Sequence, residues 1–346
     1  MALHPAVAAT RQGVRRVLRP LDPGSTVLVA CSGGADSLAL LAATLFEGHK
    51  AGLRVVGATV DHGLQEGSAD HARRVVAQMA QLGADETASA RVQVDPAGLG
   101  VEAAARRARY AVLEQLREHF AAALVLLGHT RDDQAETVLL GLARGSGGRS
   151  IAGMRRAFDH YARPLLDVAR DDTVAACLAE GIEPWDDPHN HDPGFARVRV
   201  RRRVLPVLEA ELGPGVAAAL ARTADQLRAD TEALDAIART SYVELVGAGR
   251  VGERHTGGSP AQPERMTSTD GGLPIAALAG LPTAIATRVL RLAALDAGAL
   301  DAELFHVHVT ALLDLVRAAG SGGQVQMPGH VTAYRDRSHL RFRPTT

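Results

Sequence analysis

From residue 24 to 212 the apolar positions fall into short continuous runs separated by longer segments of helical period. Val27-Leu28-Val29-Ala30 is the first run, and Val55-Val56-Gly57-Ala58-Thr59-Val60 is the second, ending at Asp61-His62. Ala90–Val94 reads as a third strand and Leu124-Leu127 as a fourth, ending at Gly128-His129. Helical spacing fills the intervals at 38–43, 69–82, 102–118 and 132–144. Short β-rich runs without polar alternation are strands buried on both faces, and their regular exchange with helices predicts an α/β fold built on a doubly wound, mostly parallel sheet.

The pattern changes after Pro206. Residues 214–245 are Ala-rich and helical, 252–273 form a low-complexity insertion expected to be flexible, and 282–297 and 301–319 are helical. Val325-Gln326-Met327 and Leu340-Arg341-Phe342 read as short strands around a turn. The expected organisation is a first domain over 1–212 and a second, smaller, mainly helical domain over 213–346. A length of 346 residues fits two domains, and an apolar share of 46% supports real cores. Aromatics make up only 3%, so Val, Leu and Ala must fill those cores.

Charge narrows the possible partners. The formal net charge is −1, so no global field gathers nucleic acid, and any RNA site must be a local basic patch. Lys50 is the single lysine, which excludes a lysine nucleophile elsewhere. Cys31 and Cys177 form neither a Cys-x-x-Cys pair nor a disulfide framework. The N-terminus lacks a signal-peptide pattern and no run reaches eighteen apolar residues, so no membrane partner and a cytoplasmic location are expected. The oligomeric state is not fixed by the sequence, and a homodimer is compatible with it.

Chemistry concentrates at the strand ends. Ser32-Gly33-Gly34-Ala35-Asp36-Ser37 joins the first strand to a helix. Its glycines let backbone N–H groups approach an anion, and the helix N-terminus adds donors and partial positive charge. The loop has neither the lysine of a γ-phosphate-transfer P-loop nor the Gly-x-Gly-x-x-Gly of dinucleotide folds. In a 3-2-1-4-5 strand order the first and fourth strands are neighbours. Ser32–Ser37 then lies beside His129–Asp133, with Asp61 at the end of the adjacent second strand. Asp132 and Glu136, four apart, share a helix face. Near phosphates such a pair suits Mg²⁺; helix capping is the alternative.

Arginine is grouped twice. Arg106, Arg107 and Arg109 lie on one helix, where a solvated face is as good a reading as a functional one. Arg197, Arg199, Arg201, Arg202 and Arg203 alternate in part with Val198 and Val200. That reads as a strand with one basic face, as an extended RNA-contacting loop, or as packing. Gly145-Ser146-Gly147-Gly148 is either a mobile active-site loop or a linker.

The Ser-Gly-Gly-Ala-Asp-Ser loop resembles the PP-loop of the ATP pyrophosphatases. Gly128-His129-Thr130-Arg131-Asp132-Asp133-Gln134-Ala135-Glu136-Thr137, with Leu142–Gly147, is similar to the tRNA(Ile)-lysidine synthetase family. So are Val60-Asp61-His62-Gly63-Leu64, Glu102–Tyr110 and Arg163-Pro164-Leu165-Leu166. Trp185-Asp186-Asp187-Pro188-His189-Asn190 and Phe195–Arg201 complete the resemblance across 25–212. Two positions depart from the family pattern: His189 stands for a serine and Val198 for an asparagine.

The resemblance implies an adenine nucleotide alpha-hydrolase-like fold. It implies that ATP adenylates the C2 oxygen of the wobble cytidine in an isoleucine tRNA with a CAU anticodon, and that free L-lysine then displaces AMP. It points to Ser32, Gly33, Gly34, Ala35, Asp36, Ser37, Asp61 and His129 for the nucleotide. Asp36 and Asp132 fit Mg²⁺, and Asp36, Asp132, Glu136 and Arg197 fit catalysis. Arg197 is the candidate for an anion contact, with Asp132 or Glu136 on the lysine amine. Arg199, Arg201 and Arg202 are the candidates for RNA. One rival is another PP-loop ligase: a thiolating relative needs cysteines this chain lacks, and a GMP or NAD synthetase would lack the arginine stretch after Pro188. The other is a nucleotide-binding regulatory module without turnover, which need not keep Asp36, Asp61, Asp132 and Glu136 together.

Overall fold

The computed structural model describes residues 3–61, 63, 67–92, 101–145, 148–253, 272–318, 320 and 322–345. His62, Leu64, Ser146, Gly147 and most of the 252–273 insertion, all named above, lie outside the described residues. The chain divides into two compact units, Met1–Asp225 and Gln226–Thr346.

The first unit begins with helix α1 (Pro5–Leu18), which the sequence reading does not assign. Pro5 opens it, where a missing N–H costs nothing, and Val7, Thr10, Val14 and Leu18 form its buried stripe. Alternation follows as β1 (Thr26–Ala30), α2 (Ala35–Lys50), β2 (Arg54–Asp61), α3 (Ser68–Gln81) and β3 (Glu86–Arg91). It continues as α4 (Val101–His119), β4 (Ala122–Leu127), α5 (Arg131–Arg144), the short α6 (Gly148–Ile151), β5 (Ala157–Phe158) and β6 (Tyr161–Ala162). Then come α7 (Arg170–Ala179), α8 (Ala196–Arg199), a π-helical turn over Val200–Val204, and α9 (Leu205–Leu212).

The sheet order is β3-β2-β1-β4-β6-β5, with all pairs parallel except the β5–β6 hairpin. β1 is central, and its residues alternate between two cores. Val27 and Val29 pack with Leu38, Leu41, Met79 and Leu165 on one side. Leu28 packs with Val56, Leu113, Val125 and Tyr161 on the other. Burial on both faces explains the unbroken apolar run.

Two expectations are corrected here. The third strand starts at Glu86 rather than at 90 and is described to Arg91, with residues 93 and 94 of the expected range outside the described residues: it is a half-buried edge strand, with no apolar run to mark it. Residues 196–204 are helical, neither strand nor extended loop. Val198 and Leu205 are buried there, and Arg197 and Arg201, one turn apart, share a face. The first compact unit ends at Asp225, inside α10 (Val216–Glu253), beyond the break after Leu212. Gly213 and Gly215, with φ of 92° and 101°, do break the helix there. Packing nevertheless continues through buried Ala221 and Ala224 to Asp225, whose Oδ2 lies 2.6 Å from Nη2 of Arg156.

The second unit contains β7 (Leu273–Pro274), α11 (Ile275–Gly280), α12 (Thr283–Asp296), α13 (His306–Arg317), β8 (Gln324–Met327), β9 (Val331–Asp336) and β10 (His339–Pro344). Its antiparallel sheet has the order β7-β10-β9-β8. Leu278, Val289, Leu290, Leu312, Ala333 and Leu340 centre its own core.

Candidate functional site

The loop after β1 has the geometry of an anion cradle. Gly33 has a φ of +86°, which an L side chain rarely adopts, and a Cβ there would lie 2.7 Å from Cγ2 of Val75. Gly34 then precedes the first turn of α2. Ser37 Oγ closes the loop on itself: it accepts from the Ser32 N–H at 3.1 Å and donates to the Gly34 carbonyl at 2.9 Å. Trp185 supports the loop from outside. Its N–H donates to the Gly33 carbonyl at 2.9 Å, and its ring lies 3.7 Å from that of His71. His71 Nε2 in turn lies 2.9 Å from the Ser32 carbonyl.

β4 delivers the second motif beside the first. A Cβ on Gly128 would lie 3.1 Å from the Asp36 carbonyl and the Ser37 Cα, so the two strand ends touch as the strand order predicts. Thr130 starts α5, and Asp133 Oδ2 accepts both its N–H at 2.9 Å and its hydroxyl at 3.0 Å.

Four carboxylates meet three guanidiniums at this point. Arg170, at the first position of α7, donates to Asp36 at 3.3 Å, Asp133 at 2.8 Å and Glu136 at 3.1 Å. Its backbone N–H donates to Asp132 at 2.8 Å. Arg201 reaches Glu136 at 2.7 Å and Asp133 at 3.3 Å. Arg197 lies 3.5 Å from Glu136 and donates to the Thr137 hydroxyl at 2.9 Å. The Thr173 hydroxyl donates to Asp36. Burial raises the Asp36 pKa even against Arg170 and Thr173. At Asp133 burial acts in the same direction, but Arg170, His129, the Thr130 N–H and Arg201 outweigh it and hold the carboxyl below its ordinary value.

His129 is neutral. Burial pushes its pKa down to about 3, with the cationic Arg163, Arg106 and Arg197 adding to the shift and Asp133 opposing it. Its Nδ1 accepts from Arg163 Nε at 3.2 Å, which assigns the proton to Nε2. The cysteines are packing residues: burial pushes Cys177 up to about 12 and raises Cys31 as well.

Of the residues named from sequence, Asp36, Asp132, Glu136 and Arg197 therefore belong to one network. Asp61 ends β2 with its Oδ1 accepting from Gly63 N–H at 2.9 Å, and Arg91 lies 3.7 Å from its other oxygen. Arg201, read as an RNA contact, is turned onto the carboxylates because its helical register matches that of Arg197. Arg199 and Arg202 stay exposed, donating to the Pro193 and Gly194 carbonyls and to His191 respectively. Asp132 and Glu136 are not an equivalent pair: Glu136 is fully buried under three arginines, and Asp133 is its neighbour in the ion network.

Arg170 and Thr173 are missing from the sequence reading. A signal existed: a cation in the first turn of a helix opposes the helix dipole, and residues that break a local rule cluster at functional sites. Among the described residues no three His, Cys, Asp or Glu side chains form a ready-made metal cluster. Mg²⁺ does not need one, since one or two carboxylates plus substrate phosphates suffice. The oxygen donors of Asp36 and Asp132 fit that requirement.

Residues 8–208 match the family description of a PP-loop domain, and 273–341 match that of a TilS substrate binding domain. The tRNA(Ile)-lysidine synthase of Thermobifida fusca is 52% identical over 335 residues, covering 97% of this chain and 96% of the relative. That of Streptomyces coelicolor is 44% identical over 372 residues, covering 99% of each. Among solved structures, a U34-tRNA thiolase from Methanococcus maripaludis shares the fold at a TM-score of 0.52 and 16% identity, covering 64% of this chain and 79% of the thiolase. At this identity over nearly the whole length, with both domain descriptions matched in order, the chain belongs to the tRNA(Ile)-lysidine synthase family.

Proposed function

We propose that the enzyme uses ATP to join lysine to C2 of the wobble cytidine of an isoleucine tRNA with a CAU anticodon, through an adenylated tRNA and with release of pyrophosphate and AMP. The observation that carries this reading is the contact of the Ser32–Ser37 loop with the strand end that presents Asp132, Asp133 and Glu136. One crevice then holds backbone donors for phosphates and carboxylates for a hard cation. The family's presence over the whole chain supports tRNA as the partner and C–N ligation as the reaction.

The Ser32–Ser37 backbone binds the departing pyrophosphate, and neutral His129 offers its Nε2–H to the nucleotide. Mg²⁺, held by Asp36 and Asp132, supplies charge neutralisation at the phosphates when bound. Asp61 lines the nucleotide side at the adjacent strand end. Arg197 faces the carboxylate of free lysine. Asp132, rather than the enclosed Glu136, accepts the amine proton before attack. Arg199 and Arg202 contact RNA from the exposed side of the helical segment. The site of action is the cytoplasm.

The test is pyrophosphate release with isoleucine tRNA present, beside circular dichroism. Asp36→Asn and Asp132→Asn should each lower the rate by about a hundredfold or more with the fold intact. Near-native release from either folded variant removes that residue from the mechanism.

A further inference from the structure

Tyr110, the last residue of the Glu102–Tyr110 stretch, and Arg163, the first of Arg163-Pro164-Leu165-Leu166, meet behind His129. The sheet explains why. β6 runs parallel to β4 with Ala162 opposite Leu126, so Arg163 leaves β6 beside the strand end that carries Gly128 and His129. Arg163 is only 5% exposed, and its guanidinium is held along its edges. Nε donates to His129 Nδ1 at 3.2 Å, Nη1 to the Arg155 carbonyl at 2.5 Å and Nη2 to the Tyr110 hydroxyl at 3.2 Å. Its Cζ lies 4.7 Å from the centre of the Phe158 ring, which stacks on Tyr161 at 5.1 Å. Tyr161 in turn packs edge-on against Tyr110, whose hydroxyl also accepts from exposed Arg106 at 3.3 Å.

The acceptors of these three bonds are neutral groups, whereas the strong partners of a buried guanidinium are carboxylates and phosphates. A guanidinium has donors only and stays charged, so a ring nitrogen that meets it must carry a lone pair. That restricts the imidazole to the neutral form with its proton on Nε2. The cation also draws electron density toward Nδ1, which strengthens Nε2–H as a donor through the ring. Burial keeps the ring neutral, and the facing cations Arg163, Arg106 and Arg197 add to this against Asp133. A neutral imidazole held in this way is a donor suited to developing negative charge.

We propose that Arg163 is a positioning residue for ATP activation: it fixes His129 as a single-tautomer Nε2–H donor, and the Tyr110 hydroxyl holds Arg163 in place. The proposal rests on the reading that His129 faces the nucleotide, and it assigns the residues that prepare His129 for that contact.

The experiment follows the His129 ring by nitrogen NMR in nucleotide-free, full-length protein with isotope-labelled histidine, its signal identified by its loss in His129→Asn. Pyrophosphate release with isoleucine tRNA and the melting temperature are recorded beside it. The wild-type ring should show one tautomer, protonated on Nε2. Arg163→Met should give both tautomers, and Tyr110→Phe should shift the population in the same direction to a smaller extent. Arg163→Met should also lower kcat/KM for ATP about tenfold, the scale seen when a histidine at a metal site loses its outer partner. On the His129→Asn background the same substitution should cost less than about twofold, because its effect runs through the ring. A wild-type ring protonated on Nδ1, a ring that keeps the Nε2–H form in both folded variants, or an equal loss from Arg163→Met on the two backgrounds overturns the proposal. If Arg163→Met does not fold, Tyr110→Phe takes its place in both measurements. Native pyrophosphate release by His129→Asn, with the tautomer lost in the Arg163 variant, overturns the nucleotide role of His129 alone and supports the hold of Arg163 on the ring.

Discussion

Single residues decide how the buried charge is balanced. Arg170 contacts three carboxylates through its side chain and a fourth through its N–H, so removing it leaves several buried anions without their main counter-charge. His129 shows the opposite economy, because it is held neutral by burial and by neighbouring cations. The sign of its pH effect follows. Its ordinary pKa is about 6.5 in the unfolded chain and about 3 in the folded one. Between those values the unfolded chain binds a proton that the folded chain does not, so stability falls as pH falls. We expect His129→Asn to flatten the dependence of unfolding free energy on pH between 4.5 and 6.5 by up to about 1.4 kcal/mol per pH unit. Denaturant melts at a series of pH values read this directly. An unchanged slope would mean that His129 is charged in the folded protein.

At the scale of elements, the central ones are legible where burial is two-sided. β1 and β4 are apolar on both faces and leave continuous runs; β3, an edge strand, leaves none and is misplaced by four residues at its start. The Arg–Val alternation at 197–201 imitates a strand, but the helical turn is settled by buried Val198 and by the ion pairs of Arg197 and Arg201 with Glu136. The loop residues Ser32–Ser37, Asp36 and Asp132 were legible because strand, loop and helix signals agree. Arg170 was not, because its role depends on α7 returning to the strand ends, a contact far apart in sequence. The PP-loop itself offers a paired test. Gly33 needs its left-handed φ and its lack of a Cβ, whereas Gly34 has ordinary backbone angles and its nearest neighbour stands 3.7 Å from an added Cβ. Gly33→Ala should therefore destabilise the fold by about 1–2 kcal/mol and weaken ATP binding. Gly34→Ala should leave the melting temperature near native yet still weaken ATP, since its Cβ would stand where the backbone must approach phosphate. Equal stability losses in the two variants would contradict this division of roles.

At the scale of the whole molecule, the carboxylate–arginine network and the match to a TilS substrate binding domain fall in different units. Every residue of the carboxylate–arginine network lies in Met1–Asp225, while the second unit has its own core and the TilS substrate binding description. The packing boundary also says where to cut. Ending the chain at 213 would remove buried Ala221 and Ala224 and one of the two carboxylates paired with Arg156, Asp225 beside Asp167, whereas ending it at Asp225 keeps them. The fragment 1–225 should therefore melt at a higher temperature than 1–213 and bind ATP about as tightly as the full chain. Its kcat/KM for tRNA should fall by at least about tenfold, or roughly 1.4 kcal/mol, because positioning of the RNA is lost while the reacting groups remain. ATP titration and steady-state lysine incorporation on one folded sample measure both quantities. If ATP affinity collapses while the fragment stays folded, the second unit helps to build the nucleotide site. If tRNA turnover is undiminished, tRNA is held by the first unit alone, and the local basic patch that a near-neutral enzyme needs must then lie there, with exposed Arg199 and Arg202 the first residues to replace.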